Sequence, residues 1–321
     1  MNKFQKGQNK EENSTRIAVI YFPIIILFAG AFGLFFPDIS LPLNSLVPYL
    51  LGIVMFTMGL TITTPDLKII IKMPQAVFIG FLAQYIIMPI TGLSIGIMLG
   101  LDPLLIVGMV LLGSTPGGAS SNIVAYLARG NVALSVTMTT LSTLLAPVMT
   151  PLLVLWLAGS YLPVNFWDML MQILQMVIIP VVLGLFIRVY STKIIKKISP
   201  AIPWISVGVL ALVIVGIMAG NVEVFLDSAL ITIVAVILHN TVGFLLGYFA
   251  AKLGRLDKRE RRAVAVEVGM QNAGLSAALA NNNFSPLAAL PSAIATIWHN
   301  VGGALFAFAI GLIDQVKRSN E

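Results

Sequence analysis

Glu267 stands in the run AVAVEVGMQNAGLSAALA, where an acid, the amide pair Gln271 and Asn272 and two glycines interrupt an otherwise apolar segment. An ionisable side chain is costly in hydrocarbon, so one that persists there points to function. Side chains able to accompany it occur elsewhere in apolar surroundings: Gln84, Ser121, Asn122, Ser135 and Thr139. With Glu267 and Gln271 they form a set of hard oxygen donors carrying one negative charge, which suits a small hard cation rather than a metal that prefers thiolate or imidazole. A divalent ion would require more carboxylates. One Glu bridging two monovalent cations, each completed by hydroxyl, amide and backbone oxygens, is chemically reasonable. Ser135 and Thr139 are four residues apart, which puts them one above the other on a helical face. A rival, purely structural reading has Glu267 reaching back to Arg261 or Arg262, with the glycines only letting helices approach closely.

Those side chains need elements that hold them in hydrocarbon. The chain has 321 residues, 58% hydrophobic and 10% charged, against about 25% charged in soluble domains. It reads as an all-α polytopic membrane protein. Apolar stretches of ~20 residues, enough to cross ~30 Å of hydrocarbon, fall at 17–36, 45–63, 74–99, 104–128, 132–158, 167–190, 201–221, 228–251, 262–281 and 287–312. The first is too long for the core of a signal peptide and lacks a small-residue cleavage site, so it is expected to be retained. All 19 Lys and Arg precede the first span or follow an even-numbered one, while the alternate loops hold Asp38, Asp102, Asp168, Glu223 and Asp227. Basic loops are cytoplasmic, so both termini are expected in the cytoplasm, with the protein spanning the cell (inner or plasma) membrane. The same distribution accounts for the net charge of +6 without nucleic acid. There is no Cys, which excludes a disulfide framework, a thiolate metal site and a Cys nucleophile.

Five spans lie on each side of the loop near Tyr161 to Trp167, so the second set would enter the membrane in the opposite orientation, as in an inverted repeat. The expected division is an N-terminal tail over 1–16, five-helix repeats over 17–160 and 161–312, and a C-terminal tail over 313–321. The fourth span of each half carries a polar, Gly-rich interruption, which is where transporters of this architecture bind their cargo. In the first half it is Thr115-Pro116-Gly117-Gly118 followed by Ser120-Ser121-Asn122, where Pro removes a donor and Gly weakens the helix. In the second it is Val268-Gly269-Met270-Gln271-Asn272, without a proline. Two half-helices are expected at the first, and the second has the same density of polar side chains.

At these residues the sequence resembles the bile acid:sodium symporter family. The matching blocks are Gly113 to Gly118 running into Ser121-Asn122, then YLARGNVALSVTMTTLSTLLAPVMTPLL, AVEVGMQNAGLSAALA and FSPLAALPSAIATIWHN, in order over nearly the whole chain. The resemblance implies ten transmembrane helices in two inverted five-helix repeats, built as core and panel domains, with discontinuous helices four and nine crossing in the core. It implies two transported Na+ ions. One would bind Ser121, Asn122, Ser135, Thr139 and Glu267; the other Gln84, Glu267, Gln271 and the backbone oxygens of Val268 and Met270. It also implies an organic-anion site beside the crossing, at Asn272, His299, Asn300 and the start of the second half of span four. One departure is Ala119, where a bacterial member carries Thr; the loss of that hydroxyl leaves the substrate open. The position of His299 fits a helix contact as well as a substrate contact. The second His-Asn pair, His239-Asn240, reads as helix packing, and Trp204 and Trp298 as core or interfacial aromatics.

The function expected is sodium-coupled symport of an organic anion, bile-acid-like or a small carboxylate such as pantoate or a 2-oxo acid, by alternating access. The partners expected are that substrate and membrane lipid, with a monomer as a plausible state. Two rivals differ in class. A passive anion channel can also use a broken, Gly/Ser-lined helix, but no ring of repeated charges is present. An intramembrane hydrolase would pair Ser114 or Ser121 with His239 or His299, and neither His has an orienting acid.

Overall fold

The structure is a computed structural model that describes residues 21, 24–62, 64–118, 120–191, 195 and 197–319. Its elements are α1 (Ile24–Phe35), α2 (Pro37–Thr61), α3 (Thr64–Lys72), α4 (Pro74–Met98), α5 (Pro103–Ser114), α6 (Ser121–Leu127), α7 (Val132–Ala158), α8 (Phe166–Tyr190), α9 (Ile202–Ala219), α10 (Val222–Leu253), α11 (Lys258–Gly269), α12 (Ala273–Asn283) and α13 (Pro286–Ser319). No strand occurs among the described residues; a single antiparallel bridge joins Gly117 to Gln271. Long helices are what hydrocarbon demands, because every backbone N–H and C=O must find a partner without water. Several begin on proline, at Pro37, Pro74, Pro103 and Pro286, where the missing N–H would have had no helical partner. Asp102 caps α5 by accepting from Leu104 N at 2.8 Å. Asp257 and Glu260 form a reciprocal capping box on α11.

Seven of these helices are long and apolar enough to cross a membrane. The sequence suggested ten crossings. The fourth and ninth apolar stretches are each divided in two, as α5 with α6 and α11 with α12, and the first is described only from Ile24. Large apolar side chains stand exposed, among them Phe28, Phe35, Tyr49, Met98, Trp156 and Leu230. A soluble monomer rarely leaves so much exposed, and the chain is an integral membrane protein.

The chain folds as two compact units, one of Met1–Thr63 with Ile173–Val222, the other of Thr64–Gln172 with Glu223–Glu321. In the first, α2 packs on α9 and on the second part of α8. Thr57 Oγ1 and Ser206 Oγ lie 2.8 Å apart there. A Cβ on Gly59 or on Gly184 would strike the backbone of the facing helix, so both positions are small to permit close approach. The second unit holds all the described candidate site residues. Its buried clusters include Met109, Leu112, Val236 and Leu290; Met88, Leu134, Met138 and Val268; and Val124, Phe244 and Met270.

Candidate functional site

Helix α5 ends because Pro116 has no N–H and Thr115 turns to an extended conformation, φ −79° and ψ 157°. Side chains donate to several carbonyls at this end. Ser114 Oγ donates to Val110 O at 2.7 Å and Thr115 Oγ1 to Leu112 O at 2.8 Å. Thr150 Oγ1 donates to Ser114 O at 2.7 Å, and Gln84 Nε2 to Thr115 O at 3.0 Å. Helix α11 ends at Gly269, and Met270 is extended with φ −117° and ψ 100°. Gln271 Nε2 donates to Val268 O at 2.6 Å and Asn240 Nδ2 to Gly269 O at 2.6 Å. The two breaks then satisfy each other, with Gly118 N donating to Met270 O at 2.9 Å and Asn272 N to Pro116 O at 2.8 Å. Each broken helix supplies the backbone groups that the other lacks, as burial requires.

Glu267 lies one turn before its break and is 1% exposed. Its carboxylate accepts from Ser121 Oγ at 2.7 Å, from Ser135 Oγ at 3.2 Å and from Thr139 Oγ1 at 2.6 Å. Thr139 Oγ1 is also 3.4 Å from Asn122 Oδ1 and 3.5 Å from Ser121 Oγ. Thus Ser121 and Asn122 from α6, Ser135 and Thr139 from α7 and Glu267 from α11 meet in one place. A hydroxyl that gives its proton to the carboxylate keeps its lone pairs, so these oxygens remain able to bind a cation. A Cβ on Gly117 would collide with the Glu267 carboxylate, which explains the glycine.

Around Gln271 a second group gathers. Gln84 Nε2 donates to Gln271 Oε1, and Gln84 Oε1 is buried without a partner. With the Val268 and Met270 carbonyls these amides bring α4 to the α11 break. Among the described residues no three of His, Cys, Asp or Glu cluster, so this chemistry is that of hydroxyls, amides and one carboxylate.

The remaining candidates lie beside the crossing. Asn272 caps α12, its Oδ1 accepting from Leu275 N at 3.1 Å. His299 Nδ1 stands 3.3 Å from Gln271 O; because a carbonyl only accepts, Nδ1 carries the proton. His299 Nε2 is buried without a partner. Asn300 Nδ2 donates to Thr296 O at 2.7 Å, and its Oδ1 is likewise unpaired. Ala119 lies outside the described residues.

The rival reading of Glu267 does not hold. Arg262 turns away, donating to Asp314 Oδ1 at 2.6 Å and to Ala128 O at 3.2 Å, while Arg261 Nε donates to Leu256 O at 2.6 Å. Asp314 also receives Lys258 Nζ at 2.7 Å and has Arg129 at 3.7 Å. Sequence reasoning missed this cluster, which ties the C-terminus of α6 to the first turn of α11 and the far end of α13. Helical phase was its only signal: Lys258 and Arg262 are four residues apart and share a face. Tyr85 was also missed; its hydroxyl donates to Ser142 O at 2.7 Å and holds α4 to α7.

A family model described as the Sodium Bile acid symporter family matches residues 48–228. The chain is 43% identical over 286 residues to the "Uncharacterized sodium-dependent transporter YocS" of Bacillus subtilis, covering 89% of each protein. It is 41% identical over 258 residues to the "Probable sodium/metabolite cotransporter BASS1, chloroplastic" of Arabidopsis thaliana, covering 80% of this chain and 64% of that one. With the "Ileal sodium/bile acid cotransporter" of Oryctolagus cuniculus it shares 32% identity over 260 residues, 77% of this chain and 72% of that one. These relatives are named as transporters and cotransporters, not enzymes, which removes the hydrolase reading. The chain belongs to the sodium bile acid symporter family and is a membrane transporter of the sodium-dependent kind.

Proposed function

We propose that the protein is a secondary active symporter that couples two sodium ions to a small organic anion by alternating access. The observation that carries this is the buried Glu267 carboxylate, which three hydroxyls surround and which no Lys, Arg or His among the described residues approaches within ion-pair distance. A buried charge without a counter-ion costs several kcal/mol, and a bound cation offsets that cost. The first ion takes Ser121, Asn122, Ser135, Thr139 and Glu267. The second takes Gln84, Gln271, Glu267 and the carbonyls of Val268 and Met270. The unpaired Gln84 Oε1 supports an ion there.

The anion binds beside the crossing, next to Ala119, Asn272, His299 and Asn300. The N-terminus of α12 presents the positive end of its dipole there, and the unpaired His299 Nε2 and Asn300 Oδ1 supply polar contacts. Sodium ties the two breaks into one geometry and so raises affinity for the anion; by linkage the anion raises sodium affinity equally. Ten crossings with both termini in the cytoplasm of a plasma-membrane protein are supported by the apolar stretches and the Lys and Arg distribution, and the reciprocal hydrogen bonds between Pro116–Gly118 and Met270–Asn272 support the pairing of the two halves as inverted repeats. In this arrangement the core domain is the unit that carries the crossing and the panel domain is the other.

Purified protein in sealed vesicles tests the function. Uptake of a carboxylate, bile-acid-like or small, is expected to saturate and to collapse when the sodium gradient is removed, whereas flux that ignores sodium would establish a channel. Gln84→Ala and Thr139→Ala then separate the two ion sites. Each is expected to raise the sodium concentration for half-maximal uptake several-fold and to lower its cooperativity toward one. A Gln84→Ala curve that superimposes on wild type in both respects removes Gln84 from the ligand set, and the same holds for Thr139.

A further inference from the structure

Helix α10 carries adjacent buried side chains, His239 and Asn240, that the ligand set does not use. Successive helical residues point about 100° apart, so the two reach different neighbours. His239 Nε2 stands 3.0 Å from Met88 O; a carbonyl only accepts, so Nε2 carries the proton and donates. Met88 is four residues beyond Gln84 on α4, on the same face one turn away. Asn240 Nδ2 donates to Gly269 O at 2.6 Å, the carbonyl that lies between those of Val268 and Met270.

That carbonyl depends on Asn240. In an unbroken helix it would receive the N–H of Ala273, but at the break that N–H turns to Gln271 O at 2.9 Å. The same face of α10 continues through Gly243 and Gly247. A Cβ on Gly243 would lie 2.6 Å from Met88 Sδ and 2.9 Å from Gly269 Cα, and one on Gly247 would lie 2.9 Å from Val268 Cβ. α10 is thus pressed against both Gln84's helix and the α11 break: His239 and Asn240 hydrogen-bond there, Gly243 and Gly247 permit the close approach, and the Phe244 ring packs against Gly269.

We propose that His239 and Asn240 are a positioning pair for the second cation site: together they set the separation between Gln84 and the carbonyls of Val268 and Met270. Holding Gly269 O fixes the peptide planes on both of its sides, and holding Met88 O fixes the height of Gln84. Neither side chain touches the ion. The inference rests on the cation reading given above, and it assigns the pair to one ion only.

The test measures sodium-dependent thermal stabilisation of the purified full chain, together with its midpoint and cooperativity, since a ligand that binds only the folded state raises its stability by mass action. Asn240→Ala and His239→Ala are each expected to raise the sodium midpoint about tenfold and to reduce cooperativity toward one. Asn240→Leu, which roughly keeps the volume but cannot donate, should match Asn240→Ala. His239→Gln, whose amide still donates, should restore most of the wild-type midpoint. Where an alanine variant does not fold, the volume-keeping pair decides: the Leu variant must shift the midpoint and the Gln variant must not. Midpoints within twofold of wild type in Asn240→Leu, or a His239→Gln variant no better than His239→Ala, overturn the proposal and leave the pair as simple packing. Glu267→Gln is measured beside them. If it keeps the full sodium response, the cation site itself is wrong; if it loses the response while the Asn240 variants keep theirs, only the role of the pair falls.

Discussion

Glu267→Gln is expected to abolish sodium-driven uptake while leaving the sodium-free protein folded, and somewhat more stable than wild type. The two effects have one cause. The carboxylate is buried, and three hydroxyls solvate it without neutralising it. Removing its charge relieves a desolvation cost in the empty protein and removes the only anion shared by the two proposed ions. At an effective dielectric of about 20, unit charges about 4 Å apart interact by about 4 kcal/mol, which is roughly a thousandfold in affinity. Sodium-dependent uptake and the sodium-induced rise in melting temperature should therefore both disappear. A general folding defect would lower the sodium-free melting temperature instead, so the sign of that shift separates the explanations. Wild-type transport by Glu267→Gln would sink the shared-carboxylate model.

The parts of this site that could be read from sequence are those whose partners lie close along the chain or whose cost in hydrocarbon is large. Pro116 with two glycines announced the end of α5, and Ser135 with Thr139 declared a shared face by spacing alone. Glu267 stood out because an acid in an apolar run needs a reason. What could not be read were partners fixed by packing between distant elements. Asp314 falls just beyond the last apolar stretch and looked like part of a polar tail. Instead α13 continues to Ser319, and Asp314 meets Arg262 from 52 residues away. His239-Asn240 gave no sign of its targets, since Met88 is 151 residues from His239 and Gly269 is 29 residues from Asn240. The assembly of Met1–Thr63 with Ile173–Val222 was hidden for the same reason: an all-round apolar helix does not reveal which neighbour covers it.

The crossing itself makes the second large prediction. Gly117 lies where α5 has ended, bridges Gln271 and has the Glu267 carboxylate against its Cα. In Gly117→Ala the new methyl and the carboxylate cannot both keep their places. Moving the carboxylate lengthens its contacts with Ser121, Ser135 and Thr139; moving residue 117 strains the two hydrogen bonds that join Pro116–Gly118 to Met270–Asn272. Either way the oxygens that would hold sodium separate. Overpacking of this kind costs about 1–3 kcal/mol, and a displacement of about 1 Å at a site can cost roughly a hundredfold in rate. Gly117→Ala is thus expected to cut sodium-coupled uptake by about two orders of magnitude and to raise the sodium midpoint with it. Gly311→Ala is the matched control, because a Cβ there meets nothing within 4 Å. Within helix α13 that change should leave uptake intact and be neutral or stabilising by about 0.5–1 kcal/mol. Equal behaviour of the two variants in vesicle uptake would mean that the contact between Gly117 and Glu267 has no part in holding the cation site.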